Sequence, residues 1–154
     1  MDNIWDFALA FYRQNGVEAD CLMAQDDYGL DVTLLIFALY RSRQGHGFDA
    51  QASYELARNL TRMLVDPLRA RRRALKSPPA GYDPRTIEQL RNQFKAAELA
   101  GEQTILQTLH SSEIKDPGLS GYESLSACVA AAKIAKDDGL DALLKRLALA
   151  GLTA

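Results

Sequence analysis

Glu98 and Glu102 stand four residues apart in the stretch FKAAELAGEQ. On a helix, that spacing projects both carboxylates from one side. Such a pair can share a proton, hold a divalent cation or accept hydrogen bonds from buried arginines. Only two close ligands are visible, so an ion-pair network is expected ahead of a metal site. The cations for it lie in Ser53 to Lys76, SYELARNLTRMLVDPLRARRRALK. At about 100° per residue, Leu60, Leu64, Leu68 and Leu75 fall within one arc, flanked by Leu56 and Met63. Arg58, Arg62, Arg69, Arg73 and Lys76 gather on the opposite side, whereas Arg71 falls among the leucines. A guanidinium keeps its charge in a protein, so burial of Arg71 demands carboxylates or several carbonyl acceptors. Glu98 and Glu102 are the expected partners, with Asp26 or Asp31 as substitutes.

The charge is distributed unevenly. Residues 58–76 hold seven basic groups and one acid, a net of +6, while residues 1–57 carry −6 and residues 77–154 carry −2. The total of −2 therefore conceals a basic belt in an acidic body. That belt either docks on the protein's own acids or presents Arg58, Arg62, Arg69, Arg72, Arg73 and Lys76 to an anionic partner. An RNA surface is a weaker reading, because the arginines lack interleaved aromatics and the chain is not strongly basic overall.

Other motifs reduce to ordinary structure. DDYGLD at Asp26 to Asp31 is echoed by DDGLD at Asp137 to Asp141. Paired acidic helices that hold magnesium in prenyl-diphosphate enzymes have this look, yet in both places a glycine stop followed by an aspartate cap explains the residues. The chain also falls short of what would enclose an isoprenoid. His46 lies between two glycines, and His110 near a helix end favours the terminal dipole. Neither has a Ser, Cys or Asp beside it that would suggest a nucleophile and base. Cys21 and Cys128 form no metal spacing, so no catalytic residue, metal or cofactor is assigned. Asp2 and Asp6 stand where a secretory signal would be basic, and the apolar run Val32 to Tyr40 is too short to span a bilayer. A cytoplasmic protein with reduced thiols and no membrane partner is the expectation.

The elements that must position these side chains are helical. Asp2 is set to cap a first helix carrying Trp5, Ala8, Leu9 and Tyr12, widened by Phe7 and Phe11. Val17, Cys21, Ala24 and Tyr28 trace a second face, after which Gly29 stops the helix and Asp31 caps the next. Val32 to Tyr40 is apolar nearly all round, and with no second strand to pair it, it reads as a buried central helix. Arg41 to Asp49 reads as a loop. Pro67 is set to restart the basic helix, with Asp66 as its N-cap. SPPAGYDP is a loop, and Asp83-Pro84 opens a long helix with Ile87, Leu90, Phe94, Ala97, Gly101 and Ile105 on one face. Leu99 and Leu106 add a narrower stripe, and Gly101 permits close approach of a neighbour. Asp116-Pro117-Gly118 is a turn, and Ser120 with Glu123 forms a capping box. The helix it opens is expected to run through Ala135 to a stop at Gly139, with a last helix from Asp141 to about Ala150. The fold class is all-α: a single-domain, irregular antiparallel bundle of six to eight helices over residues 1–154, completed by C-terminal helices in 120–151.

WDFALAFY, CLMAQDDYGLDVTLLIFALY, PLRARRRALK and FKAAELAGEQ together resemble a small proteobacterial family of unknown function, all-helical and about this length. The resemblance covers residues 4–110 and implies no activity. The expected function is a non-enzymatic helical interaction module, binding a protein or anionic partner through the basic helix. The alternative is a small enzyme or ligand-binding bundle with a carboxylate and arginine pocket that uses phosphate or a metal. RNA binding ranks third.

Overall fold

Why the chain folds as it does begins with its helix ends. The computed structural model describes residues 3–78, 80–111 and 118–154, and these contain eight α-helices and no β-strand. They are α1 (Ile4–Tyr12), α2 (Val17–Asp26), α3 (Val32–Arg43), α4 (Ala50–Leu64), α5 (Asp66–Ala74), α6 (Pro84–Ser111), α7 (Gly121–Ala131) and α8 (Asp138–Thr153). Asn3 caps α1, its side-chain oxygen accepting from the backbone N–H of Trp5 and Asp6 at 2.9 Å. The cap expected at Asp2 thus falls one residue later; Asp2 lies outside the described residues. Val17, Cys21 and Ala24 of α2 are buried, and Gly29, at φ 67°, bonds back to the Gln25 carbonyl. That turn delivers Asp31 to the N-cap of α3.

Helix α3 is the hub. Every residue from Thr33 to Arg41 is buried, and α3 packs on α1, α2, α4, α6, α7 and α8. Two charged side chains are drawn into this apolar centre, and each is held by hydrogen bonds. Asp31 accepts from the Leu34 N–H at 3.3 Å, from the Thr33 hydroxyl, and from the Thr61 hydroxyl of α4 at 2.7 Å. Arg41 donates through Nε and Nη2 to the Gly47 carbonyl at 3.1 and 3.0 Å. Accordingly the expected loop at Arg41 begins later, because α3 runs on to Arg43.

Pro67 does break the basic stretch. It cannot donate to the preceding turn, so α4 ends at Leu64 and a new helix opens with Pro67 in its first turn. The N-cap is Val65 rather than Asp66, and Asp66 pairs with Arg69 at 3.4 Å instead. The new helix, α5, packs on α4 and α6 alone and has no fully buried residue. Gly101 of α6 faces the end of α4: a Cβ there would stand 3.1 Å from the Leu64 carbonyl oxygen and from Val65 Cγ2. Its missing side chain is what lets the two helices approach. Leu90 and Leu99, expected on apolar stripes of α6, are instead exposed.

The capping box of Ser120 and Glu123 opens α7. Helix α7 then ends earlier than its composition suggests, at Ala131. Lys133 takes the left-handed position at φ 57°, and Lys133 and Ile134 bond back to the Ala130 and Val129 carbonyls, closing a Schellman motif. Asp137, not Asp141, caps α8 by accepting from Leu140 N–H at 2.7 Å, which leaves Gly139 inside the first turn. The turn expected at Asp116-Pro117 lies outside the described residues. Core side chains form one cluster from Ile4 to Leu147, so α7 and α8 complete the same interior as α1 and α3. Among the described residues no helix is long and apolar enough to cross a membrane.

Asp31 both caps α3 and satisfies two threonine hydroxyls, so its loss removes a cap and strands buried donors. Asp31→Ala should lower unfolding free energy by about 2–3 kcal/mol. Asp49→Ala, which removes only the exposed cap bond to Ala52 N–H, should cost about 1 kcal/mol. Urea denaturation of the two variants checks the difference.

Candidate functional site

Helices α5 and α6 run antiparallel as a hairpin, and their facing stripes meet level by level. Arg69, Arg72 and Arg73 recur at helical spacing on α5, with Lys76 in the turn just past its end; Lys95, Glu98, Leu99 and Glu102 do so on α6. At the inner level Arg69 Nη2 reaches Glu102 Oε1 at 3.5 Å, and Arg69 Nε lies 3.7 Å from Glu98 Oε2. One turn outward, Arg72 donates through Nε and Nη2 to the two oxygens of Glu98, at 2.5 and 3.2 Å. Glu98 is only 6% exposed. A carboxylate so buried needs charged donors, and two arginines supply them. The bidentate fork suits a planar guanidinium better than an ammonium.

The carboxylates expected to form a network do sit together, but their cations are Arg69 and Arg72. Arg71 is exposed and forms no ion pair among the described residues. The reason is the break at Pro67. Once Leu64 belongs to another helix, the arc on α5 rests on Leu68 and Leu75, both only half-buried. At about 100° per residue these leucines lie some 60° and 40° from Arg71, both to the same side. Arg71 therefore sits at the edge of a narrow stripe, not within it.

The remaining sequence candidates divide. Asp26 of α2 reaches across to Arg73 at 3.2 Å. Hydrogen bonding from Gln25 and then from Arg73 holds the Asp26 carboxyl below its ordinary value. Asp31 points into the bundle, as described above. Arg58 is half-buried and lines a recess of about 150 Å³ with Asp31, Thr61, Arg69 and Glu102. Arg62 is exposed and lines neither this recess nor the larger cleft described next.

Between α1–α2 and the α5–α6 hairpin lies an open cleft of about 740 Å³. No backbone of α5 comes close to α1 or α2, so the gap is spanned by side chains, including the Arg73–Asp26 pair. One wall carries Arg69, Arg72, Arg73 and Lys76; the other carries Leu9, Tyr12, Cys21 and Leu22 together with Glu18, Gln25 and Asp26. Leu99 and Lys95 of α6 complete it. Leu22 and Leu99 remain 49% and 41% exposed. The sequence reading missed the apolar wall and Lys95. Its faint signal was that Leu22 falls off the face traced by Val17, Cys21 and Ala24; Leu99 shares a stripe with the buried Leu106 and gave none.

Burial raises Glu102 above the ordinary carboxylate value; Arg69 draws it back, while Glu98 and Asp31 raise it further. Burial, with Glu102 behind it, raises the Tyr12 hydroxyl well above its usual range. The Cys21 thiol is pushed up to about 12, chiefly by burial, so it carries little thiolate at neutral pH. Among the described residues no three His, Cys, Asp or Glu side chains cluster as a metal site would require.

A family model described as "Protein of unknown function (DUF2390)" matches residues 3–109. The chain belongs to this family. Every residue lining the cleft, from Leu9 to Glu102, falls inside the matched segment, whereas α7 and α8 fall outside it. No curated protein and no solved structure matches the chain.

Removing one arm of the buried pair should separate Arg72 from Arg71. Arg72→Ala leaves Glu98 with only the longer Arg69 contact and should cost about 2 kcal/mol, less than a fully stranded charge. Arg71→Ala should fall within about 0.5 kcal/mol of the native protein. Urea midpoints measure both.

Glu102 gives a pH test. Its folded value is raised, so the folded state holds a proton that the unfolded chain has already released. That contribution is complete below the ordinary carboxylate value of 4.5 and is lost as pH rises through the folded value. Glu102→Gln should therefore gain stability relative to the native protein as pH rises through this window, read from urea midpoints taken from pH 4 upward.

Proposed function

We propose that the protein is a non-enzymatic binding module that holds a small organic ligand in the cleft between α1–α2 and the α5–α6 hairpin. The observation that carries this reading is the cleft's volume of about 740 Å³, with apolar side chains from Leu9, Leu22 and Leu99 set among five cations and four acids. Small-molecule sites commonly enclose about 300–1,000 Å³ and pair apolar lining with a few polar groups. Leu22 and Leu99 expose apolar surface that the bundle itself does not cover, and covering it would return about 25 cal/mol per Å².

The chemistry of the lining favours holding over turnover. The Glu98 oxygens are engaged by Arg72, and the Cys21 thiol is poorly ionised. Docking of a protein or RNA on the basic helix has less support. Four cations of that helix line the cleft, and three of them are already paired with acids of the same chain. Outside the cleft the basic stretch retains exposed Arg62 and Arg71, on separate helices, a thin charge for a steering surface. A cytoplasmic setting belongs to the same proposal, and the free thiols of Cys21 and Cys128 accord with it.

A neutral apolar fluorophore, N-phenyl-1-naphthylamine, tests the reading. Its emission should rise saturably to one site per chain. The double variant Leu22→Asp, Leu99→Asp should weaken that binding about tenfold or more, whereas Leu149→Asp on α8, equally an exposed leucine, should not. Unsaturable emission, or equal binding by all three proteins, would overturn the cleft as a site.

A further inference from the structure

The ladder of charges between α5 and α6 has a rung with no acid. Arg69 faces Glu102, and Arg72 faces Glu98. Lys76, in the turn just past the end of α5, continues the α5 side of this ladder, and Lys95 of α6 stands one turn outward of Glu98. Both line the cleft, and neither forms an ion pair among the described residues. Two like charges bordering one cleft contribute no ion pair to holding the hairpin closed.

The other wall does not neutralise them. Asp26 is occupied by Arg73 at 3.2 Å. Glu18 also lines the cleft and forms no ion pair with either lysine among the described residues. Leu99 lies one turn inward of Lys95 on the same face of α6, and Leu22 borders the same cleft. Apolar surface at Leu99 thus lies inward of Lys95.

We propose that the ligand is a small amphipathic anion whose apolar body lies against Leu22 and Leu99 and whose acidic group sits between Lys76 and Lys95. This rests on the cleft being a binding site and adds the charge and direction of what enters it. Lysine suits the task at an open mouth, where a flexible, hydrated point charge meets an anion without demanding fixed geometry.

The test is displacement of N-phenyl-1-naphthylamine at pH 8 by three ten-carbon amphiphiles: decanoate, decanol and decyltrimethylammonium. Decanoate should displace the fluorophore at about tenfold lower concentration than decanol, a factor equivalent to about 1.4 kcal/mol. Decyltrimethylammonium should be the weakest. In the double variant Lys76→Glu, Lys95→Glu the order should reverse, each displacement being referred to that variant's own affinity for the fluorophore. Equal displacement by decanoate and decanol, with fluorophore binding intact, overturns the anionic ligand and leaves the cleft standing. A decanoate preference that survives in the double variant overturns the lysine pair as its seat. Failure of the native protein to bind the fluorophore removes the cleft and this inference together.

Discussion

Glu98 is a carboxylate buried in the side of a helix, and the hairpin depends on what surrounds it. Helix α5 has no fully buried side chain of its own, and its backbone packs only on α4 and α6. Burial of leucines alone holds it weakly, because Leu68 and Leu75 keep part of their surface in water. Arg72 supplies a two-point bond to Glu98, and Arg69 bridges Glu98, Glu102 and Asp66. Removing either arginine would leave an acid in a site built for a pair. One wall of the cleft is therefore held in place by electrostatics more than by packing.

The rest of the bundle follows the opposite rule. Helix α3 is enclosed by six neighbours, and the polar groups that enter it are those that terminate helices or turns. Asp31 caps α3 and gathers Thr33 and Thr61; Arg41 ties the chain back to Gly47. These bonds stop the chain where it must turn, and the apolar faces then fix which helices meet. A tightly packed hub beside a thinly anchored α5 places the cleft along the boundary between two kinds of stability. Ligand sites commonly draw on elements at the low-stability end in this way.

The basic belt shows how linear charge can mislead about a surface. Seven cations within residues 58–76 suggest an outward docking strip. Folding turns four of them toward the cleft and matches three against Asp26, Glu98 and Glu102, two of these acids lying far along the chain on α6. What survives as unpaired charge in the cleft is a smaller set, with Lys95 contributed by a segment that does not belong to the belt at all.

Local chemistry was legible in the sequence wherever it acts over a few residues. The all-helical class, the buried run at Val32 to Tyr40, the cap at Asp31, the break at Pro67 and the box at Ser120 and Glu123 all follow from periodicity, proline's missing donor and side-chain caps. The pairing of Glu98 with Glu102 on one face was equally a matter of spacing. Where a left-handed stop fell on Lys133 instead of glycine, the sequence offered no cue, and α7 and α8 were misplaced together. Which arginine meets those glutamates was beyond the sequence, because a proline break uncouples the helical phase on its two sides. Arg71 lost its place to Arg69 and Arg72 when α5 swung onto α6. The cleft, too, belongs to tertiary structure alone: its apolar wall, its basic wall and Lys95 come from separate helices, brought within reach only because α5 packs on α6 and leaves α2 uncovered.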